Sequence, residues 1–136
     1  MATKSKENQI YLGADSSKIF VSELAIDIRR YADAGENYIP KNTLITVGGL
    51  IERKGLDLLL KALELIRDKD WKLKIVGEGS EKEALISEAV KLNIIDRIEF
   101  CGFLFGDELT KAYEEAGIFV FPTREDCFGL VTLEAM

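Results

Sequence analysis

The chain has 136 residues, of which 47% are hydrophobic and 31% are charged, which is the balance of one ordinary globular domain. The formal net charge of −6 argues against a general binder of nucleic acid or membrane surfaces, and no apolar run approaches the roughly 20 residues that span a membrane. There is no histidine, and Cys101 and Cys127 do not form a CxxC pair, so we expect no metal site and two reduced thiols in a cytoplasmic protein.

The first 42 residues lack a regular pattern. Residues 1–8 are polar, no signal-peptide apolar segment follows them, and we expect a disordered lead-in. Residues 9–42 combine a turn at Gly13–Ser17, one short helical stretch, and a connector with glycine, proline and asparagine. We interpret residues 9–42 as a linker region between domains.

Strands and helices alternate from residue 43 onward. The predicted strands are TLITV, KLKIV, RIEF and IFVF, at 43–47, 72–76, 97–100 and 118–121. The predicted helices are GLDLLLKALELIRD, SEKEALISEAVKL with Ser80 as its N-cap, GDELTKAYEEAG, and a fourth that begins near Phe128. Such alternation implies parallel pairing with right-handed crossovers. Residues 43–136 are therefore predicted to form part of a Rossmann-like open parallel sheet of the α/β class, with about four strands.

In a sheet with the common order 3-2-1-4, a ligand lies where the first and fourth strands end. The loop after the first strand contains Gly48 and Gly49, which let a ligand approach the backbone closely. It continues with Arg53 and Lys54, and Lys54 lies next to a helix start and suits a phosphate. The alternative is a glycine-rich turn with two solvated cations.

The loop after the fourth strand leads into a predicted helix whose first backbone amides would be donors for an anion. These residues are Phe128, Gly129, Leu130 and Val131. Glu134 lies within that helix and suits a ribose diol. The alternative is that Glu125 and Asp126 complement the helix dipole and Glu134 is a surface residue.

Two other strings have the composition of ligand sites. GEGSEK at 77–82 resembles a dinucleotide fingerprint, but Lys82 replaces its third glycine and the loop follows the second strand rather than the first. The acidic string Asp68-Lys69-Asp70 is predicted to be a solvated turn at the opposite edge of the sheet. Neither is expected to bind a cofactor.

Four segments together resemble the group-1, family-4-like branch of GT-B glycosyltransferases. In chain order they are VGGLIERKGLDLLLKAL, LKIVGEGSEKEAL, IEFCGFL and FVFPTREDCFGLVTLEAM. Upstream, YLGADSSKIF is similar to the family's linker. The resemblance implies a truncated C-terminal donor-binding domain of an enzyme that moves a sugar from a nucleoside diphosphate sugar to an acceptor with retained configuration. It also implies that the 136 residues alone are inactive.

The resemblance also implies roles for individual residues. The family's two acidic residues with seven between them correspond to Asp126, for the donor sugar, and Glu134, for the ribose. Lys54 corresponds to the lysine that neutralises the leaving diphosphate. The diphosphate would also meet the amides of Gly129, Leu130 and Val131.

The remaining implied contacts involve the backbone near Phe103, for the base, and the loop at Gly77 and Gly79, which would line the same cleft. Two departures stand out. Asp126 replaces the usual glutamate, and Gly49 replaces the usual arginine. Arg53 and Arg124 are the candidates to supply the missing cation.

The implied partners are a nucleotide-sugar donor and an unknown acceptor, with no cofactor, no metal and no nucleic acid. We expect self-association through the open edge of the fourth strand. Any peripheral membrane contact would come from parts outside this chain. Two alternatives stay open: a related GT-B enzyme, such as a sugar phosphorylase or epimerase, and a non-catalytic nucleotide-binding domain.

Overall fold

A computed structural model describes residues 2–20, 41–125 and 129–136 of the chain. The helices and strands, in chain order, are α1 (Ala2–Tyr11), β1 (Thr43–Val47), α2 (Leu56–Leu65), β2 (Lys72–Val76), α3 (Lys82–Lys91), β3 (Ile98–Gly102), α4 (Asp107–Glu114), β4 (Ile118–Phe119) and α5 (Leu130–Ala135). Within these described ranges, no helix is long and apolar enough to cross a membrane.

The four strands form one parallel sheet in the order β3-β2-β1-β4. β1 pairs with β2 along its whole length, and it pairs with β4 on its other side at Leu44 and Ile45. The strand order therefore reverses between β1 and β4, as the sequence predicts. The outer strand β4 leaves Ile118 53% exposed, and self-association through this edge stays a prediction.

Helices cover both faces of the sheet because alternate strand residues point to opposite sides. On one face, Leu73 and Ile75 pack with the leucine stripe of α2 and with α3. On the other face, Ile45 and Val76 pack with α4 at Ala112. Leu56, Leu59, Leu60 and Leu63 form this stripe and are buried, as their helical spacing predicts. Ile66 has the same spacing in the sequence, but it lies beyond the end of α2 and is 43% exposed.

Several predicted boundaries differ from the structure. β3 runs to Gly102 rather than Phe100, and β4 ends at Phe119 rather than Phe121 because only two of its residues pair with β1. Ser80 is exposed and is not the N-cap of α3, which begins at Lys82. That turn is instead held by the backbone, since the Glu81 amide donates to the Leu50 carbonyl at 2.9 Å.

The N-terminal segment differs from the expected lead-in, because α1 is helical from Ala2 and continues past residue 8 to Tyr11. Its alanine, lysine, glutamate and glutamine residues favour a helix. The Lys6 Nζ donates to the Ile19 carbonyl at 3.2 Å and ties the helix to the turn that follows. In the predicted linker region, residues 21–40 lie outside the described residues.

Candidate functional site

The loops at the carboxyl ends of the strands form a continuous row that backbone hydrogen bonds hold together. The Leu50 amide donates to the Glu78 carbonyl at 2.9 Å, which joins the loops after β1 and β2. The Gly77 amide donates to the Gly102 carbonyl at 2.7 Å, which joins the loop after β2 to the end of β3. The predicted ligand edge is therefore one connected surface.

Close packing explains two of the predicted glycines without any ligand. Gly77 has φ = 134°, and a Cβ there would lie 2.0 Å from the Gly48 carbonyl oxygen. A Cβ on Gly79 would lie 2.3 Å from the Leu50 carbonyl oxygen. The absence of a side chain at these positions lets the loop after β2 lie directly on the loop after β1. Their contact with a ligand stays a prediction.

The paired glycines of the first loop differ from each other. Gly48 has φ = 153°, a conformation that side chains rarely adopt, whereas Gly49 lies outside that region. A Cβ on Gly49 would meet only the Glu78 carbonyl oxygen, at an ordinary 3.9 Å. The backbone therefore has room for a side chain at Gly49, and steric crowding does not explain the glycine there.

A small depression lies at the carboxyl end of β1, between the end of β2 and the segment after β4. Its wall includes Gly48, Gly49 and Lys54 from the first loop, and Phe121 and Pro122 from the segment after β4. The structure thus brings the glycines and the lysine of the first loop together at the point where the strand order reverses.

Lys54 lies in a short 3₁₀ turn, Glu52–Lys54, that ends at Gly55 in the left-handed conformation. Its Nζ lies 5.6 Å from the centroid of the Phe121 ring, which places the ammonium group over an aromatic face. A Cβ on Gly55 would lie 2.3 Å from the Pro122 carbonyl oxygen. The turn that carries Lys54 therefore lies tightly against the segment after β4.

Arg124 does not supply a cation to the depression. Its guanidinium forms a two-point contact with Asp57, at 2.8 and 2.7 Å, and it also donates to the Glu52 carbonyl at 2.6 Å. The hydrogen bond from Arg124 lowers the pKa of Asp57 and raises the pKa of Arg124 itself. The Arg53 side chain is exposed, while its carbonyl accepts the Arg124 amide at 2.9 Å.

We predict that Arg124→Lys raises the pKa of Asp57 towards its ordinary value of 3.8, because lysine cannot reproduce the two-point contact. The folded-state pKa of Asp57 lies below the unfolded value, so its stabilisation is present at neutral pH. That stabilisation is lost as the pH falls below 3.8 through the folded pKa. Both side chains are more than a third exposed, so solvent keeps the contribution small.

Carboxyl-carbon NMR titration of the variant measures this pKa directly. Asp15 is the internal control, since the pKa of its carboxylate is lowered by hydrogen bonds from Ser17, far along the chain from Arg124. The Asp57 titration should move while the Asp15 titration stays. An unchanged Asp57 midpoint would show that the two-point contact does not govern this carboxylate.

The final helix carries the rest of the predicted diphosphate and ribose contacts. Gly129, at φ = 59°, caps α5, which begins with Leu130 and Val131. Glu134 is half-buried, and the hydroxyl of Tyr113 donates to its Oε2 at 3.2 Å. Asp126 and Phe128 lie outside the described residues, so their roles stay predictions.

Phe103 is 74% exposed on the loop that follows β3. Its ring lies 6.3 Å from the ring of Phe105, measured between centroids. Gly102 and Gly106 flank this aromatic pair and have φ values of 69° and 56°. The loop therefore presents two rings to solvent at the same edge of the sheet as the depression, and base contact there stays a prediction.

The predicted solvated turn is confirmed: Asp68, Lys69 and Asp70 lie at the opposite edge, before β2, and are exposed. In the described part of the chain, no group of three or more possible metal ligands comes together. Cys101 is a free, half-buried thiol whose pKa is raised chiefly by burial, while Cys127 is outside the described residues.

Sequence reasoning missed three residues that shape this edge: Asp57, Tyr113 and Phe121. Asp57 follows Lys54 by three positions and lies in the first turn of α2. Acidic residues are common at such positions because they complement the helix dipole, so Asp57 carries no signal of a role at the site. Neither Tyr113 nor Phe121 has a spacing in the sequence that predicts a role at this edge. Their roles depend on contacts between elements that are far apart in the chain.

Residues 27–136 match the model of the family described as glycosyl transferases group 1. An uncharacterized glycosyltransferase of Haemophilus influenzae is 36% identical over 108 residues, which are 72% of this chain and 30% of that protein. The D-inositol 3-phosphate glycosyltransferase of Rhodococcus jostii is 32% identical over 92% of this chain and 31% of its own length. The chain thus spans about a third of these curated relatives.

Solved structures show the same fold. HepE of Anabaena, solved with UDP and glucose, superposes on 98% of this chain and 40% of its own, with a TM-score of 0.72 at 18% identity. A TarM variant of S. aureus, solved with fondaparinux, alpha-GlcNAc-glycerol and UDP, covers 97% of this chain and 26% of its own, with a TM-score of 0.73 at 23% identity. The four-stranded parallel sheet is therefore the Rossmann-like sheet of GT-B proteins, and the chain belongs to the group 1 glycosyl transferases.

Proposed function

We propose that the chain binds the nucleoside diphosphate part of a sugar donor, within a longer enzyme that transfers the sugar to an acceptor with retained configuration. The observation that carries the proposal is the depression between β1 and β4, where Gly48, Gly49 and Lys54 meet the end of the fourth strand. Parallel sheets bind ligands at this switch point. The solved HepE and TarM structures contain UDP, which supports a diphosphate ligand for this chain.

Lys54 would stabilise charge that develops on the departing diphosphate. Its ammonium group is held over Phe121 at the wall of the depression, so little reorganisation is needed as the bond to the sugar breaks. The negative charge on the diphosphate is greater in the transition state than in the bound donor. The contact with Lys54 therefore lowers the activation barrier as well as strengthening binding. The amides of Leu130 and Val131, in the first turn of α5, are expected to add donors, and no metal is required by this arrangement.

The donor's other parts are assigned by the family resemblance. Glu134 would accept the ribose hydroxyls, Asp126 would contact the sugar, and the backbone near Phe103 would face the base. The chain has no histidine, so acid–base chemistry on the acceptor falls to carboxylate, lysine, tyrosine or cysteine side chains here or to the remaining length of the enzyme. The transfer reaction is therefore a property of the longer protein.

The proposal is tested by amide-resolved NMR of the 136-residue chain with UDP, GDP and ADP. Chemical-shift changes should cluster in residues 48–55 and 129–134, and the nucleotide that gives the tightest titration identifies the base. Uridine, which lacks phosphates, is the control for non-specific stacking on Phe103 and Phe105. A dispersed spectrum that responds to none of the three diphosphates would contradict the proposed donor site.

One observation favours the non-catalytic alternative. Gly49 stands where the family usually has an arginine. Arg124 does not replace that missing cation, because its guanidinium is hydrogen-bonded to Asp57. Turnover of a sugar donor by the longer protein would decide against pure binding. Activity with water, phosphate and sugar acceptors would then separate a transferase from a phosphorylase or epimerase.

A further inference from the structure

Tyr113 is an aromatic side chain of α4 that contacts α5 through its hydroxyl. The oxygen lies 3.2 Å from Oε2 of Glu134 and 3.4 Å from the carbonyl oxygen of Val131. These two acceptors are three residues apart and lie on the same side of the helix. The hydroxyl proton therefore points at one face of α5, the face that carries the Glu134 carboxylate.

The Tyr113 ring is anchored by the sheet rather than by α5. It packs against the buried cluster between α4 and the sheet, and its centroid lies 6.1 Å from that of Phe119 in β4, with the planes tilted by 57°. A ring held in this way offers its hydroxyl at a fixed point. The carboxylate it contacts belongs to a glutamate, a side chain with three rotatable bonds that is only half-buried.

The same aromatic row continues to the lysine of the depression. Phe119 lies 6.1 Å from Phe121, nearly parallel at 21°, and Phe121 lies beneath the Nζ of Lys54. Three rings thus link the carboxylate of Glu134 at one end to the ammonium group of Lys54 at the other. Two oppositely charged groups, on segments 80 residues apart in sequence, therefore contact the two ends of one row of rings.

A carboxylate that binds a ribose diol must present free acceptor positions in a fixed direction. A hydrogen bond to Oε2 limits rotation of the group and still leaves Oε1 and further lone pairs for two diol hydroxyls. Fixing a side chain before the ligand arrives lowers the entropy lost on binding. We propose that Tyr113 is a positioning residue, which orients the Glu134 carboxylate towards the 2′,3′-diol of the donor's ribose. This inference rests on the proposed function, because that function assigns the ribose to Glu134.

The test compares Tyr113→Phe with the unmodified chain, since phenylalanine keeps the ring and removes only the hydroxyl. Dissociation constants are measured by NMR titration for UDP, GDP and ADP, each beside its 2′,3′-dideoxy counterpart. For the base that binds best, Tyr113→Phe should weaken the diphosphate about fivefold and leave the dideoxy ligand within about twofold. A purely structural role would weaken both ligands equally, and that result would overturn the proposal.

Two further variants separate this inference from the proposed function. Tyr11→Phe removes a hydroxyl from an 89% exposed tyrosine on α1, and both affinities should stay unchanged. Glu134→Gln should weaken the diphosphate, and adding Tyr113→Phe to it should cost little more, because coupled residues are not additive. A loss in Glu134→Gln without any loss in Tyr113→Phe overturns only the positioning role. No preference of the unmodified chain for the diol over the dideoxy ligand overturns the ribose assignment and the positioning role together.

Discussion

Lys54→Met is expected to weaken binding of the preferred nucleoside diphosphate to this chain by about tenfold to a hundredfold, the usual range for losing a charge-assisted hydrogen bond. Methionine keeps much of the apolar stem that packs over Phe121 but removes the ammonium group from the wall of the depression. In the longer enzyme the same substitution should lower kcat by about 10²- to 10³-fold, because the lost charge acts on the leaving group. Isothermal titration and steady-state kinetics measure the two effects.

Matched variants test whether the loss of affinity in Lys54→Met is specific to the site. Lys54→Arg retains the positive charge and should keep more affinity than Lys54→Met. Lys61→Met removes an exposed lysine from α2 and should leave the affinity unchanged. The nucleoside without phosphates should bind the Lys54→Met variant as well as it binds the unmodified chain. An equal loss for nucleoside and diphosphate would show that Lys54 supports the fold rather than the phosphates.

Gly77→Ala is expected to lower the free energy of unfolding by about 3 kcal/mol, combining a strained backbone with forced overlap. The position has φ = 134°, and the new Cβ would lie 2.0 Å from the Gly48 carbonyl oxygen. The overlap involves backbone on both sides, so neither loop can relieve it by a rotamer change. Urea denaturation followed by circular dichroism gives the change in unfolding free energy.

Gly49→Ala is the matched control for this stability prediction. Its φ lies outside the left-handed region and its Cβ would meet the Glu78 carbonyl oxygen at 3.9 Å, an ordinary contact. We expect the free energy of unfolding to change by less than about 1 kcal/mol. A small gain in stability is consistent with the argument, because alanine reduces the conformational freedom of the unfolded chain. Equal destabilisation by the two alanines would contradict the packing argument for Gly77.

The sequence predicted the sheet because its signals are local and repetitive. The apolar runs around Ile45 and Ile75 and the leucine stripe of α2 fix strand and helix by periodicity. Short connections and right-handed crossovers then leave few topologies, and the observed order β3-β2-β1-β4 is the predicted one. Strand ends were less predictable: the Val120 amide still donates to the Ile45 carbonyl at 2.8 Å, but the paired register of β4 with β1 ends at Phe119.

The N-terminal segment shows a limit of composition as a guide. The polar residues after Met1 predict disorder, but lysine, glutamate and glutamine are also good helix formers. The helix from Ala2 to Tyr11 follows from that local preference and needs no apolar face. Polarity alone does not distinguish an unfolded lead-in from a solvated helix.

The sequence by itself determined the α/β class, the strand order, and the placing of Gly48, Gly49 and Lys54 at the switch point. Only the tertiary structure decided which of the charged side chains lies at the depression on that edge. Arg124 and Lys54 are both cations in loops of the same edge, but Arg124 contacts Asp57 while Lys54 lies over Phe121 at the depression. Tyr113 meets Glu134 across 21 residues of chain. Periodicity fixes which face of an element is buried, whereas such pairings depend on how separate elements pack in space.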